Sequence, residues 1–570
     1  MPFKTGAPRA VLLLCIYAVA SQGLIQAAEE TTKTPPSVSA DTQDGGDVAK
    51  LKAQVAAQQV QLEQLRVALE EQKKMIEAMI RPAADPIKPE SNKPSSLGEV
   101  ASLSPVIPPA SPAASSPVLF PLAVQKGETQ APSPLSLRIG ESFLTPVGFM
   151  DFTSINRTTV SGSGIGTNFG SIPFNNAQGG KLSEFRLNPQ NSRIGFRFDS
   201  LFHGTNVLGY MEADFLGNNP GNVAVTSNSN TLRMRLYWVQ LKKDKMELLA
   251  GQSWSLLTPG RVGISPLPGD LFYSQDVDVN YQAGLTWSRD PQVRFVYHAS
   301  KSFAMALSLE NGEQYVGGSA GAGIVVPPTA LATTEFSQFN NGGTTVAAPQ
   351  LHPDVIAKVA YDFLAASDGH SRFHIEANGL LSSFKGFNNV TGLRYTRTGG
   401  GGSLNLNLEL FPGLRIITNN YASQGGGRYL FGQAPDVVIL GNGDIGLVKA
   451  ASSVTGPEWT IHKNTLLYAY YGGIYIGRYS TIDPANGRPV GYGYAGSANS
   501  QNRTIQEGTF GFNQTMWKDA RYGALNLMGQ YSYLSRAPWV VATGQPKDAH
   551  QSMIYFNLRY TLPGTAPSLK

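Results

Sequence analysis

The sequence predicts an all-β transmembrane barrel of about 16 antiparallel strands, with 18 also fitting, preceded by a coiled-coil helix. Three observations carry that expectation. Only 15% of the 570 residues are charged, against about 25% in soluble globular domains, while the chain holds 61 Gly and 23 Tyr at a mean hydropathy of -0.15. Beyond the N-terminus there is no run of the roughly 20 apolar residues that a membrane-spanning helix needs. From about residue 138 onward, apolar and polar residues alternate with period two. Strands with one face on lipid and the other on water show that alternation.

Residues 1–28 have the form of a secretory signal peptide. Lys4 and Arg9 precede an apolar core from Ala10 to Ala20, and small residues suited to cleavage follow at Ala18 and Ala20 or at Ala27 and Ala28. The core is too short to span a bilayer. The single cysteine, Cys15, falls inside this segment. Its removal would leave no thiol for a disulfide, a metal or covalent catalysis.

Residues 47–81 change character. Val48, Val55, Leu62, Leu69 and Ile76 recur every seven residues, and Leu51, Gln58, Leu65, Gln72 and Met79 fill a second seam. These are the a and d positions of a coiled coil, which implies self-association. Its core would be Val48, Leu51, Val55, Leu62, Leu65, Leu69, Ile76 and Met79. Asp47 is a plausible cap, and Pro82 ends the pattern. Residues 82–136 are rich in Pro, Ala and Ser, with 12 of the 37 prolines. That composition builds an extended linker rather than a core.

Residues 137–570 hold the alternating segments. Ile194, Phe196 and Phe198 oppose Arg193, Gly195 and Arg197. Leu232, Met234, Leu236 and Trp238 oppose Arg233, Arg235 and Tyr237. Leu404, Leu406, Leu408 and Leu410 oppose Asn405, Asn407 and Glu409. In the last segment Ile554, Phe556, Leu558 and Tyr560 oppose Tyr555, Asn557 and Arg559. About 430 residues, at roughly 25–27 per strand and connection, give the strand count; a barrel of that size encloses water.

The charge is unevenly distributed. The whole chain carries +5, but residues 137–570 hold 33 basic and 27 acidic side chains, a net of +6, and 21 of the 33 are Arg. Arg193, Arg197, Arg233, Arg235, Arg294, Lys358, Arg372, Arg394 and Arg415 fall on polar-face positions, which makes them candidate pore-lining, anion-binding residues. Cations in a low-dielectric wall focus their field on the pore, and the guanidinium fork matches carboxylates. The competing reading pairs these cations with the inward acids Asp199, Glu212, Asp214, Glu247, Glu376 and Glu409. Between Thr258 and Gly284 a loop rich in Pro and Gly follows an early strand. It is a candidate constriction loop, with Arg261, Asp270, Phe272, Tyr273, Asp276, Asp278 and Tyr281 as its contact residues. A surface loop is the competing reading.

There are seven His in all. The expectation is a protein that is not an enzyme, uses no cofactor or metal, and binds no nucleic acid.

Four short blocks carry a family resemblance: Asn191-Ser192-Arg193-Ile194-Gly195-Phe196, Gly209 to Phe215, Leu232 to Tyr237, and Leu249-Ala250-Gly251-Gln252. Their order, together with the coiled coil, resembles the DcaP-like trimeric outer-membrane porins of Gram-negative bacteria. The resemblance covers the first third of the barrel. It implies a homotrimer in outer-membrane lipid, a 16-stranded barrel and passage of small anions such as dicarboxylates. The tail from Pro563 to Lys570 runs past the usual terminal aromatic, a departure from the pattern.

The expected function is therefore a passive channel for small anionic solutes, with the coiled coil in the periplasm. The alternative is an envelope tether or adhesin, whose coiled coil and linker contact peptidoglycan while the barrel serves as an anchor. An extended linker of about 50 residues reaches on the order of 150 Å.

Overall fold

The computed structural model describes residues 133–217, 230–271, 274–312, 323–325, 330, 350–364, 371–484 and 486–564. The signal segment, the coiled-coil heptads and all of the linker before residue 133 lie outside the described residues.

Sixteen strands close a barrel. They are β1 (Ser142–Arg157), β2 (Glu184–Asn188 continued by Arg193–Phe202), β3 (Thr205–Asp214), β4 (Arg233–Lys243), β5 (Met246–Trp254), β6 (Arg289–His298), β7 (Phe303–Glu310) and β8 (Asp354–Leu364). There follow β9 (Ser371–Phe387), β10 (Arg394–Phe411), β11 (Leu414–Gln424), β12 (Lys449–His462), β13 (Thr465–Ile476), β14 (Asn502–Asp519), β15 (Gly523–Pro538) and β16 (Ala549–Thr561). Each pairs antiparallel with its neighbours in sequence, and β16 returns to β1 in the register Phe149 to Thr561 through Arg157 to Met553. The short segment Leu137–Ile139 pairs with the start of β1. Ser133 Oγ donates to the Pro563 carbonyl at 2.7 Å, tying the two ends of the described chain together. Closure pairs every strand edge, the condition for a sheet to stand in hydrocarbon.

Turn chemistry sets the two rims. One rim has tight turns, as at His203 and Gly204, both with positive φ, between β2 and β3. The other carries most of the long connections. Small sheets decorate it: Gly323–Val325 with Pro435–Ile439 and Ile445–Leu447, and the hairpin of Tyr479–Ile482 with Pro489–Tyr492.

The alternation holds along most strands. Ile194, Phe196 and Phe198 are exposed on the outer face, while Asp199 is buried inside. The fourth strand departs from it. The period-two pattern groups Leu236 and Trp238 with Met234, yet Met234 is 42% exposed and Leu236 and Trp238 are 0% and 5%. The reason is a β-bulge. Ala213 pairs with Met234 and Glu212 with Leu236, so Arg235 is an extra residue. A bulge inserts one unpaired position and reverses the parity beyond it. Arg235 and Leu236 both turn inward, and Tyr237, Val239 and Leu241 take over the outer face.

A loop across the lumen and the cavity beside it

The connection between β5 and β6, residues 255–288, turns into the barrel. Its prolines and glycines cannot sustain a ladder, so its backbone N–H groups need partners elsewhere. Inward side chains of the wall supply them. Leu256 N–H donates to Glu310 at 2.8 Å, Gly260 N–H to Glu376 at 3.2 Å and Gly263 N–H to Asp362 at 2.9 Å. Val277 N–H donates to Gln530 at 2.7 Å, Ala283 N–H to Glu507 at 2.8 Å and Thr286 N–H to Asn419 at 2.9 Å. Gly284 (φ 95°) passes so close to β13 that a Cβ would lie 2.8 Å from the Gly473 carbonyl oxygen, and glycine alone fits there.

The residues of this loop take distinct places. Arg261 donates twice to Glu458 on β12, at 2.8 and 2.7 Å. Asp278 accepts from the Tyr555 hydroxyl at 2.8 Å and from Thr167 N–H at 3.2 Å. Burial raises the Asp270 carboxyl, with Ser265 and Arg197 opposing. Tyr281 meets Trp287 and Trp254 edge-on, at 5.5 and 6.5 Å between ring centres. Burial pushes its hydroxyl up, but Arg193 and Arg235 outweigh that and hold it below the usual tyrosine value. Asp276 has both carboxylate oxygens buried with no hydrogen-bond partner among the described residues. Phe272 and Tyr273 lie outside the described residues.

Facing the loop, strands β2 to β6 bring together a basic group. Arg193 lies 3.5 Å from Glu212. Arg235, delivered inward by the bulge, bonds Glu212 at 2.8 Å and Asp214 at 2.6 Å. Arg233 bonds Asp214 at 2.7 Å. Arg289 sits over the Trp254 ring at 5.4 Å, and Arg235 over the same ring at 5.5 Å. Among the described residues no carboxylate lies within ion-pair distance of Arg289. Three guanidiniums therefore share two carboxylates, and the fourth rests on an aromatic face.

The remaining predicted cations stand apart. Arg197 forks onto Asp199 at 2.8 and 2.9 Å on its own strand. Arg294 donates to Gln292 at 3.0 Å and to the Trp254 carbonyl at 2.5 Å. Lys358 bonds Glu376 at 3.0 Å and the Thr258 carbonyl at 2.9 Å, which places it among the loop's anchors. Arg415 donates to Asn407 at 3.1 Å, with Glu409 at 3.7 Å. Arg372 and Arg394 are exposed at the starts of β9 and β10, away from the cluster. Sequence reasoning missed Arg289, Phe149 and Trp254 and gave Arg559 no site role. Arg559 shares the inward register of Asn557, a signal that was available. Phe149 and Trp254 are apolar residues turned inward, which alternation alone assigns to the other face.

A cavity of about 90 Å³ lies between the loop and this wall, lined among others by Phe149, Arg193, Trp254, Asp276, Tyr281 and Arg559. Among the described residues no group of three or more His, Cys, Asp or Glu is placed to hold a metal ion.

The strands and the inward loop define the fold class: a closed 16-stranded antiparallel barrel with a loop folded into its lumen. No family model and no curated protein matches the sequence. Among solved structures, the outer-membrane channel DcaP of Acinetobacter baumannii is similar, with a TM-score of 0.53 at 16% identity, covering 74% of this chain and 97% of that one. OmpT of Vibrio cholerae (TM-score 0.39, 11% identity, 75% and 99% covered) and OmpF of Salmonella typhi (0.40, 9%, 75% and 100%) are more distant. The likeness to DcaP concerns the barrel fold.

Proposed function

We propose that this protein is an outer-membrane porin, a passive diffusion channel for small anionic solutes of dicarboxylate type. One observation supports the reading above the others. On the wall facing the inward loop, Arg193, Arg233 and Arg235 share Glu212 and Asp214 while Arg289 rests on the Trp254 ring, so guanidiniums outnumber carboxylates in that group. In a narrow passage with low-dielectric walls, that excess concentrates anions. The inward loop acts as the constriction, with Arg261 and Asp278 holding it in place and Tyr281 supplying a rigid rim. A solute carboxylate exchanges part of its hydration for guanidinium contacts and leaves because Arg193, Arg233 and Arg235 are already shared with Glu212 and Asp214. The neighbouring strands' Arg197, Arg294, Lys358 and Arg415 stabilise wall and loop, while the coiled coil serves self-association, as a homotrimer.

The test is block of KCl current through single channels by added succinate. The expected outcome is a concentration-dependent drop in current that disappears when Arg235 and Arg289 are both replaced by Gln. Equal block in that variant would move the anion site elsewhere.

A further inference from the structure

The cavity beside the loop has electrically opposite walls. On the barrel side, Arg559 and Arg193 lie over the Phe149 ring at 4.2 and 5.1 Å, Arg559 bonding Asp151 at 2.8 Å and Arg193 standing 3.5 Å from Glu212. Arg193 also keeps its Nε buried without an acceptor. On the loop side, both carboxylate oxygens of Asp276, the Ser274 hydroxyl and the Asn513 amide oxygen line the same cavity. All four atoms are buried, and none has a hydrogen-bond partner among the described residues. Folded proteins leave few buried polar atoms unpaired, and here four acceptors converge on one cavity.

The missing complement has definite chemistry. An ammonium group presents three donors and no acceptor, which suits the Asp276, Ser274 and Asn513 side. A carboxylate suits the guanidiniums of Arg193 and Arg559. We propose that the cavity is a binding site for a small zwitterion of the amino-acid class, its ammonium held at Asp276 and its carboxylate at Arg193 and Arg559. The proposal rests on the channel reading and adds a zwitterionic substrate class to it.

The surroundings of Asp276 suit a cationic guest. Burial and the Asp278 carboxylate raise its carboxyl well above the ordinary range, with Ser274 opposing and Glu458 adding to the rise. A bound ammonium offsets the charge of the buried Asp276 carboxylate.

The test uses the full chain in proteoliposomes, with KCl conductance scoring insertion. Uptake of labelled L-alanine is compared with lactate, which lacks the ammonium, and with ethylammonium, which lacks the carboxylate. The expected result is saturable alanine uptake, several-fold faster than lactate or ethylammonium at low concentration. The alanine-to-lactate ratio should fall to near one in Asp276→Asn, and fall in part in Asn513→Leu, which serves if the first variant does not insert. Unsaturable uptake at equal rates would mean a merely hydrated cavity and overturn the site, leaving the channel intact. An unchanged ratio in the variants would overturn it as well. Absence of KCl conductance in the unmodified chain would overturn the channel reading and the site with it.

Discussion

The two halves of the lumen use charge differently. On β8 to β12, charged groups are consumed in holding the loop. Glu376 alone takes hydrogen bonds from Lys358, Asn405 and Gly260 N–H, and Glu458 takes both from Arg261. In the cluster on β2 to β6, Arg193, Arg233 and Arg235 share Glu212 and Asp214, and Arg289 rests on an aromatic face instead of an acid. A count of inward arginines would treat the two halves alike. The difference lies in stoichiometry: balanced pairs make a scaffold, and an excess makes a field.

The largest effect is expected on the balanced side. Glu458→Ala removes the carboxylate that the buried Arg261 guanidinium bonds twice, and breaking such a pair costs about 3–5 kcal/mol. Thermal unfolding should shift down accordingly, and single-channel conductance should rise as the loop loosens. A variant with unchanged conductance would show that the loop is held without this pair.

A smaller change is expected on the unbalanced side. Arg289→Gln should lower the anion-to-cation permeability ratio roughly threefold, with thermal stability little altered because no ion pair is lost. Equal loss from Arg197→Gln, whose partner Asp199 is on the same strand, would erase the distinction between excess and paired cations.

Acidity offers a third probe. The Asp276 carboxyl is raised by burial and by Asp278, so it takes up its proton at a higher pH than an ordinary carboxylate. Each proton gained removes a negative charge from the passage. Anion preference should therefore increase as pH falls, beginning above the normal carboxylate range, and Asp276→Asn should flatten that part of the profile. Selectivity measured across the pH range checks it.

The smallest effect is assigned to Arg372 and Arg394. Both are exposed at strand starts, and replacement by Ala should leave selectivity unchanged and stability within about 0.5 kcal/mol.

The barrel was legible because period-two alternation is a direct consequence of strand geometry between two solvents. The inward loop was legible in part, since Pro and Gly between Thr258 and Gly284 exclude a strand. Its anchors were not, because Glu376, Glu458, Gln530 and Glu507 come from strands remote in sequence, and only closure brings them to the loop. The bulge at Arg235 hid the true faces of Leu236 and Trp238, since one extra residue shifts parity without any local compositional mark. Arg289 was missed for a related reason. It stands at the first position of β6, where no alternation precedes it, and its importance comes from Trp254 and Arg235 across the strand pair. The pairing of Arg193, Arg233 and Arg235 with Glu212 and Asp214 was foreseeable residue by residue, but the ratio of four to two was not.

The most direct test of the uncompensated basic wall is the zero-current potential of the reconstituted channel across a KCl gradient. The sign of an anion-selective pore is predicted, and it should weaken towards zero when Arg233 and Arg289 are both changed to Gln. A cation-selective sign in the unmodified protein would contradict the claim that the excess guanidiniums set the field.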